Sequence, residues 1–321
     1  MADFLTAASD FDAAAPVGSS QARRRLRRFM AGALSQEPLS ERLKFMFRAA
    51  VWRGTTGRWL ATAEGLCQLT DVAAPPVDLV KKVQTRLAHR RFSLEQRLRL
   101  LCRHYDMLIR RLGLEAVGRL LRGERLVTAS IVGRSGRSFV IDLRRDWLTR
   151  SEGELAICLS EAQSDRALAK LTLIVGDLAE GAPTILWIGG LQGPVAAPDA
   201  KAAIVGATRE LWGLRPKQAV LEAAYGLAEA LGVSAIKAVS RRAHAVRRPF
   251  ALTEEIKADY DGFWREMGGV PDGVGAFDLP NRRRRREAGQ VKAGKRKAWR
   301  ARQDLIASLT TSLGAFKVSD R

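Results

Sequence analysis

The spacing of apolar residues along this chain changes period near Leu126, and that change constrains the fold more than any single motif. Upstream, the apolar positions recur at helical intervals. Leu94, Leu98, Leu101, Tyr105 and Leu108 lie on one helical face, behind Ser93 as an N-cap, and Gly113 is expected to stop that helix. Ser40 opens another amphipathic segment over 40–48, Ala74-Pro75-Pro76 interrupts the pattern, and 77–88 resumes it. Downstream, residues 127–132 and 138–143 flank Gly133-Arg134-Ser135-Gly136, a hairpin signature, and 153–159, 169–175 and 184–188 are three more strands. Two helices follow. The first is capped by Asp199 and ends near Trp212; the second starts at Pro216 and closes at Gly232. Residues 233–239 form a last strand, and 253–267 a helix with Glu254 and Glu255 in its first turn. Helices, then strands, then α-α-β-α predicts an α+β fold rather than an alternating βαβ one: an N-terminal helical region, then a mixed, largely antiparallel sheet with flanking helices.

This order divides the chain into a flexible tail (1–34), a helical region (35–125), an α+β core (126–281) and a basic C-terminal helix (282–321). Charge follows the same division. The 321 residues carry a net charge of +20. The first 22 residues hold only acids (Asp3, Asp10, Asp12), and then come Arg23, Arg24, Arg25, Arg27 and Arg28. Residues 282–302 hold eleven lysines and arginines against Glu287 alone, and 81–125 hold thirteen against four acids. Such a balance favours anionic partners: a small anionic ligand, nucleic acid or an anionic lipid surface. The three cysteines, Cys67, Cys102 and Cys158, are scattered with no CxxC spacing, which predicts reduced thiols in a cytosolic protein and no metal site. No apolar h-region follows a basic n-region, and no run of 18 apolar residues occurs, so neither a secretory leader nor a spanning helix is expected.

Several short motifs appear in order: Glu152-Gly153-Glu154-Leu155, Ile188-Gly189-Gly190-Leu191-Gln192-Gly193, Gly213-Leu214-Arg215-Pro216-Lys217, Ala238-Val239-Ser240 with His244, and Asp259-Tyr260-Asp261-Gly262-Phe263-Trp264. Together with Lys295-Arg296-Lys297, Arg300 and Arg302, they resemble the VirK/YbjX family of bacterial proteins over most of the chain after the first 35 residues or so. The run Arg282–Arg286 is more basic than that pattern. The resemblance implies an association with virulence and resistance to cationic antimicrobial peptides, and a place in the cytoplasm or peripherally at the inner membrane. It implies no particular reaction and leaves a protein partner open.

Within these motifs, two kinds of site suggest themselves. Gly189, Gly190, Gln192 and Gly193 are expected in a turn between a buried strand and the Asp199 helix. Such a turn either serves only to leave the strand, or aims backbone N–H groups at an anion. It resembles the pyrophosphate loop of GNAT-type acyltransferases, which implies acyl-coenzyme A as the ligand; no Gly-Lys-Ser/Thr follows, so a Walker A loop is rejected. Arg215 and Lys217 stand at the next helix start, where Arg215 either clamps a phosphate or carboxylate or caps the preceding helix. For the chemistry itself, Glu152 and Glu154 offer an acid–base pair, or else they form a solvated strand face or pair with Arg144, Arg145 or Arg150. His244 is either a general base kept neutral by Arg241, Arg242, Arg247 and Arg248, or a loop histidine without a task. Tyr260, Phe263 and Trp264 recur at helical spacing and are expected to pack. The basic tail, with the apolar stripe Leu305, Ile306, Leu309 and Leu313, suits nucleic acid, an anionic bilayer or packing on the domain; residues 39–52 have a similar character. Three functions follow: acyl transfer from acyl-coenzyme A to an amine or hydroxyl of an envelope-related acceptor, with His244 or Glu154 as base; a non-catalytic accessory protein at an anionic membrane; or nucleic-acid binding.

Overall fold

The structure, a computed structural model, describes residues 20–35, 37–73, 75–145, 149, 151–245, 259–280, 289 and 291–314. The expectations placed on Arg150, Arg247, Arg248, Thr253, Glu254, Glu255 and Arg282–Arg286 lie outside the described residues. Residues 20–34, expected in the flexible tail, instead form α1 (Ser20–Leu34), held by Leu34 in an apolar cluster with Phe45, Leu60 and Val80; the helical region continues with α2 (Leu39–Val51), α3 (Arg53–Leu69), α4 (Val77–Lys81) and α5 (Leu94–Leu121). Ser93 caps α5 with a full capping box, its hydroxyl accepting from Gln96 N–H while the Gln96 side chain accepts from Ser93 N–H. Gly113, at φ 84° and ψ 165°, stops the first helical segment of α5 as expected; a second segment resumes across the kink, where Ala116, Val117, Leu120 and Leu121 carry the buried face onward.

The sheet is mixed and mostly antiparallel. Its strands are β1 (Leu126–Val132), β2 (Ser138–Arg144), β3 (Leu155–Glu161), β4 (Ala167–Gly176), β5 (Ile185–Gln192), β6 (Ala235–Val239), β7 (Val270–Pro271) and β8 (Ala276–Leu279), in the spatial order β1-β2-β3-β4-β5-β6-β8-β7. The β1–β2 hairpin closes as its Gly-Arg-Ser-Gly signature predicts, with Gly133 N–H bonded to Arg137 O and Gly136 at φ 92°. Four consecutive antiparallel ladders lead to β5, which then pairs in parallel with β6. The crossover between them is α6 (Ala200–Glu210) and α7 (Pro216–Ala230), the connection a parallel pair requires. Gly232, at φ 64°, ends α7, and Val233 N–H reaches back to Ala228 O, as a glycine stop should. The sequence did not reveal β7 and β8, which are too short to show a period.

One continuous core joins both regions, from Trp59 on α3 to Leu309 on α9 (Arg296–Gly314). α9 packs along α7, and Gly226 is the reason it can: a Cβ there would overlap the Thr310 main chain. Ile306 and Leu309 are buried in the fold, so these two members of the stripe that suited a bilayer are not free to meet one. Gly226→Ala should therefore separate the two helices and lower stability by about 1–3 kcal/mol. Urea unfolding checks this, and an unchanged midpoint would contradict the packing.

Candidate functional site

The candidate site forms where β5 parts from β6. The parallel pairing runs from Ile185↔Ala235 to Ile188↔Ala238 and stops. At that point β5 also bulges: Leu173 pairs with Ile188 but Thr172 pairs with Gly190, leaving Gly189 as the extra residue. Beyond the bulge β5 keeps its β4 partners through Gln192 while losing β6. Backbone groups freed inside a protein need partners, and two titratable side chains supply them. The turn Arg241–Ala243, capped by the Ser240 hydroxyl, delivers His244, whose ring N–H donates to the Gly189 carbonyl. The short helix α8 (Tyr260–Glu266), capped by Asp259, delivers Tyr260, whose hydroxyl accepts from Leu191 N–H. The two rings lie 5.6 Å apart.

Glu152 completes this group. It is buried, accepts from the Thr172 hydroxyl at 2.8 Å and from Gln192 Nε2 at 3.1 Å, and has one oxygen 3.5 Å from His244 Nε2. Gly189 and Gly190 are glycines because of it. A Cβ on Gly189 would overlap the Glu152 carbonyl, and a Cβ on Gly190 would overlap its carboxylate. Burial pushes the His244 imidazole down to about 4, and the bond to Gly189 only partly opposes this. The ring is therefore neutral in the ordinary pH range. Burial first, then the Glu152 charge, push the Tyr260 hydroxyl up, so it keeps its proton.

Glu154, two residues on, belongs to a different cluster. Lys82 Nζ lies 2.7 Å from it and also donates to Gly153 O at 2.6 Å, Arg145 lies 2.9 Å away, and the Tyr105 hydroxyl donates to it. Arg145 also holds Asp78 at 2.7 Å. Burial opposes the Glu154 charge, but Lys82 and Arg145 overcome it and hold the carboxyl at about 2. A carboxylate pinned in this way joins two layers of the fold; it is poorly placed to exchange protons with a ligand. A cavity of about 620 Å³ adjoins the cluster, lined by Val72, Pro76, Asp78, Leu121, Arg122 and Arg145, and both arginines are paired with acids.

The structure differs from the sequence expectations at several positions. Gly189, Gly190 and Gln192 lie in β5 rather than in a turn; only Gly193, exposed after the strand, begins the connection. Neither glutamate lies on a solvated face, although Glu154 does pair with Arg145, one of the arginines expected. Burial is the main cause of His244's neutrality, and among the described residues neither Arg241 nor Arg242 contributes to it. Asp199 makes no side-chain cap on α6 but grips Arg166 at 2.5 and 2.9 Å, leaving the first amides of α6 without that carboxylate. Arg215 neither caps the preceding helix nor stands free: it pairs with Glu266 and lies over the Phe263 ring at 5.8 Å. Lys217 is half-buried beside Gly193, its Cε 4.0 Å from where a Cβ would stand, and burial together with Arg215 lowers its pKa. Sequence reasoning set Tyr260 aside as packing and missed Thr172 and Lys82. Only Tyr260 carried a signal, its place in the Asp259–Trp264 motif. Among the described residues no group of three or more His, Cys, Asp or Glu could hold a metal ion.

The family described as "Protein of unknown function (DUF535)" matches residues 35–315. The chain belongs to this family. It is the VirK/YbjX family that the motifs resemble. The chain is 28% identical over 280 residues to "Uncharacterized protein YbjX" of Escherichia coli (strain K12), covering 86% of this chain and 83% of that one. No solved structure matches. Among the described residues no helix is long and apolar enough to cross a membrane.

All three histidines are buried, burial lowers the pKa of each, and together they set a pH dependence. His104, like His244, is pushed by burial down to about 4 from an ordinary 6.5. Both bind a proton near pH 6.5 when unfolded but not when folded. Their contribution is therefore complete above about pH 6.5 and is lost as pH falls towards 4, about 3 kcal/mol for each group. Imidazole NMR should place both midpoints near 4. His104→Gln should remove one proton from the uptake on unfolding near pH 5, measured from the pH dependence of the urea midpoint; an unchanged uptake contradicts the assignment.

Proposed function

We propose that this protein binds acyl-coenzyme A and transfers its acyl group to an amine or hydroxyl. The observation that carries this reading is the parting of β5 from β6 at the Gly189 bulge, with His244, Tyr260 and Glu152 gathered on the freed strand edge. An antiparallel run ending in one parallel pair that separates, followed by a glycine exit into a helix, is similar to the arrangement of GNAT-type acyltransferases. The residues suited to the phosphates are Gly193 with the uncapped start of α6, and Lys217 beside them. When bound, acyl-coenzyme A supplies a thioester whose C–S bond breaks as the new C–N or C–O bond forms.

The chain's own residues then divide the proton traffic. Neutral His244 accepts the proton shed by the attacking amine or hydroxyl, and Glu152, 3.5 Å from Nε2, steadies the imidazolium that results. Thr172 and Gln192 hold the carboxylate in that position. Tyr260 keeps its proton available for the departing thiolate. Glu154 takes no part, because Lys82 and Arg145 engage it.

Calorimetry with short- and long-chain acyl-coenzymes A tests the reading: at least one should bind, and binding to none of them overturns it. Lys217→Ala should weaken that binding about tenfold, the value of one charge-assisted contact. His244→Gln should leave binding within about twofold while lowering turnover 100-fold or more, the scale of a general base.

A further inference from the structure

α2 carries an apolar stripe that nothing in the described chain covers. Leu39, Leu43, Met46, Phe47 and Val51 are 68, 60, 47, 71 and 60% exposed. At 100° per residue they fall within a sector of about 140°. The helix is held from its other side, where Phe45 is buried with Leu34, Leu60 and Val80 in a small cluster of its own. The exposed stripe is therefore not a helix waiting for its core; its core contact is already made. Isolated exposed apolar residues need no explanation, but five on one face of a 13-residue helix do.

The charges around the stripe identify what covers it. Arg42 borders it on one edge and Lys44 and Arg48 on the other, all three exposed. Residues 20–53 hold nine arginines and lysines against two acids, Glu37 and Glu41. Both acids are paired with Lys81, at 2.9 and 3.5 Å, and Lys44 also holds Glu41 at 2.8 Å. An apolar face with basic residues along both margins is what an in-plane helix at an anionic bilayer needs: side chains enter the acyl boundary while arginines and lysines meet lipid phosphates. A protein groove would have to match the stripe in shape and also present acids along both sides, whereas an anionic lipid surface offers both features everywhere.

We propose that α2, with the arginine-rich α1 beside it, docks the protein on an anionic lipid bilayer, lying in the interface without crossing it. The surface lies on the helical region, not on α9. It does not depend on the acyl-transfer reading.

Flotation of the full-length protein with vesicles tests it. The protein should float with vesicles containing phosphatidylglycerol and stay behind with pure phosphatidylcholine. Leu43→Asp combined with Phe47→Asp should abolish flotation, while circular dichroism and the melting curve stay unchanged, because neither side chain is in a core. Lys44→Gln with Arg48→Gln should lower partitioning about fivefold for each charge removed, whereas Lys297→Gln with Arg300→Gln on α9 should lower it less. Equal partitioning to neutral vesicles, or flotation that survives the Leu43/Phe47 change, overturns the proposal. So does a dimer in sedimentation equilibrium that this double change dissociates, since the stripe would then be a contact between copies of the chain.

Discussion

Four residues, Ser151 to Glu154, join the helical region to the sheet, and the rest of the architecture is arranged around them. Ser151 O accepts from Ala88 N–H, Gly153 O accepts from Lys82 Nζ, and Glu154 N–H donates to Leu173 O on β4. The Glu154 carboxylate meets Lys82 and Arg145 in a site from which water is excluded. Each of these charges alone would be prohibitively costly to bury; together, with Tyr105 and Asp78, they offset one another. A cluster of this kind adds little net stability compared with apolar residues, but it tolerates only one alignment. It thereby sets where the helical layer sits on the strands.

That alignment has a consequence on the other side of the segment. With Glu154 held, Glu152 lies against β5, and β5 can accept it only by giving up two side chains, at Gly189 and Gly190. The bulge at Gly189 and the end of β6 pairing come at the same place. A strand that bulges and loses a neighbour presents a carbonyl and an amide to the interior, which is where His244 and Tyr260 arrive. The candidate site and the structural cluster are thus two ends of one short segment. This explains why neighbouring glutamates have unlike surroundings: one is locked by two cations, the other faces a neutral imidazole and a phenol.

Most of the fold was legible in the sequence. The switch of period near Leu126, the Gly-Arg-Ser-Gly hairpin and the Pro216 and Gly232 boundaries depend on local backbone preferences, which survive in any tertiary setting. The site was legible only in its members. Glu152, His244 and the glycines stood out, but their roles followed from contacts between residues distant in sequence, from Thr172 with Glu152 to Glu152 with His244, which no local pattern encodes. The glycine string illustrates this best. From sequence, Gly189 and Gly190 suggest a turn with free amides; in the fold they are strand residues stripped of side chains by a glutamate from another segment. A glycine shows that something approaches closely, and the fold decides whether it is a ligand or the protein itself.

The same limit applies to amphipathic helices. α2 and α9 both carry an apolar stripe beside basic residues, and by composition they are equivalent candidates for a surface. They differ only in what each meets. α9 finds Gly226 on α7, where the missing side chain lets two backbones approach and buries Ile306 and Leu309. α2 meets only a small pocket, filled by Phe45, and its broader stripe remains turned outward. Burial of an apolar face depends on a complementary surface elsewhere in the chain, so periodicity identifies the face while the partner determines its use.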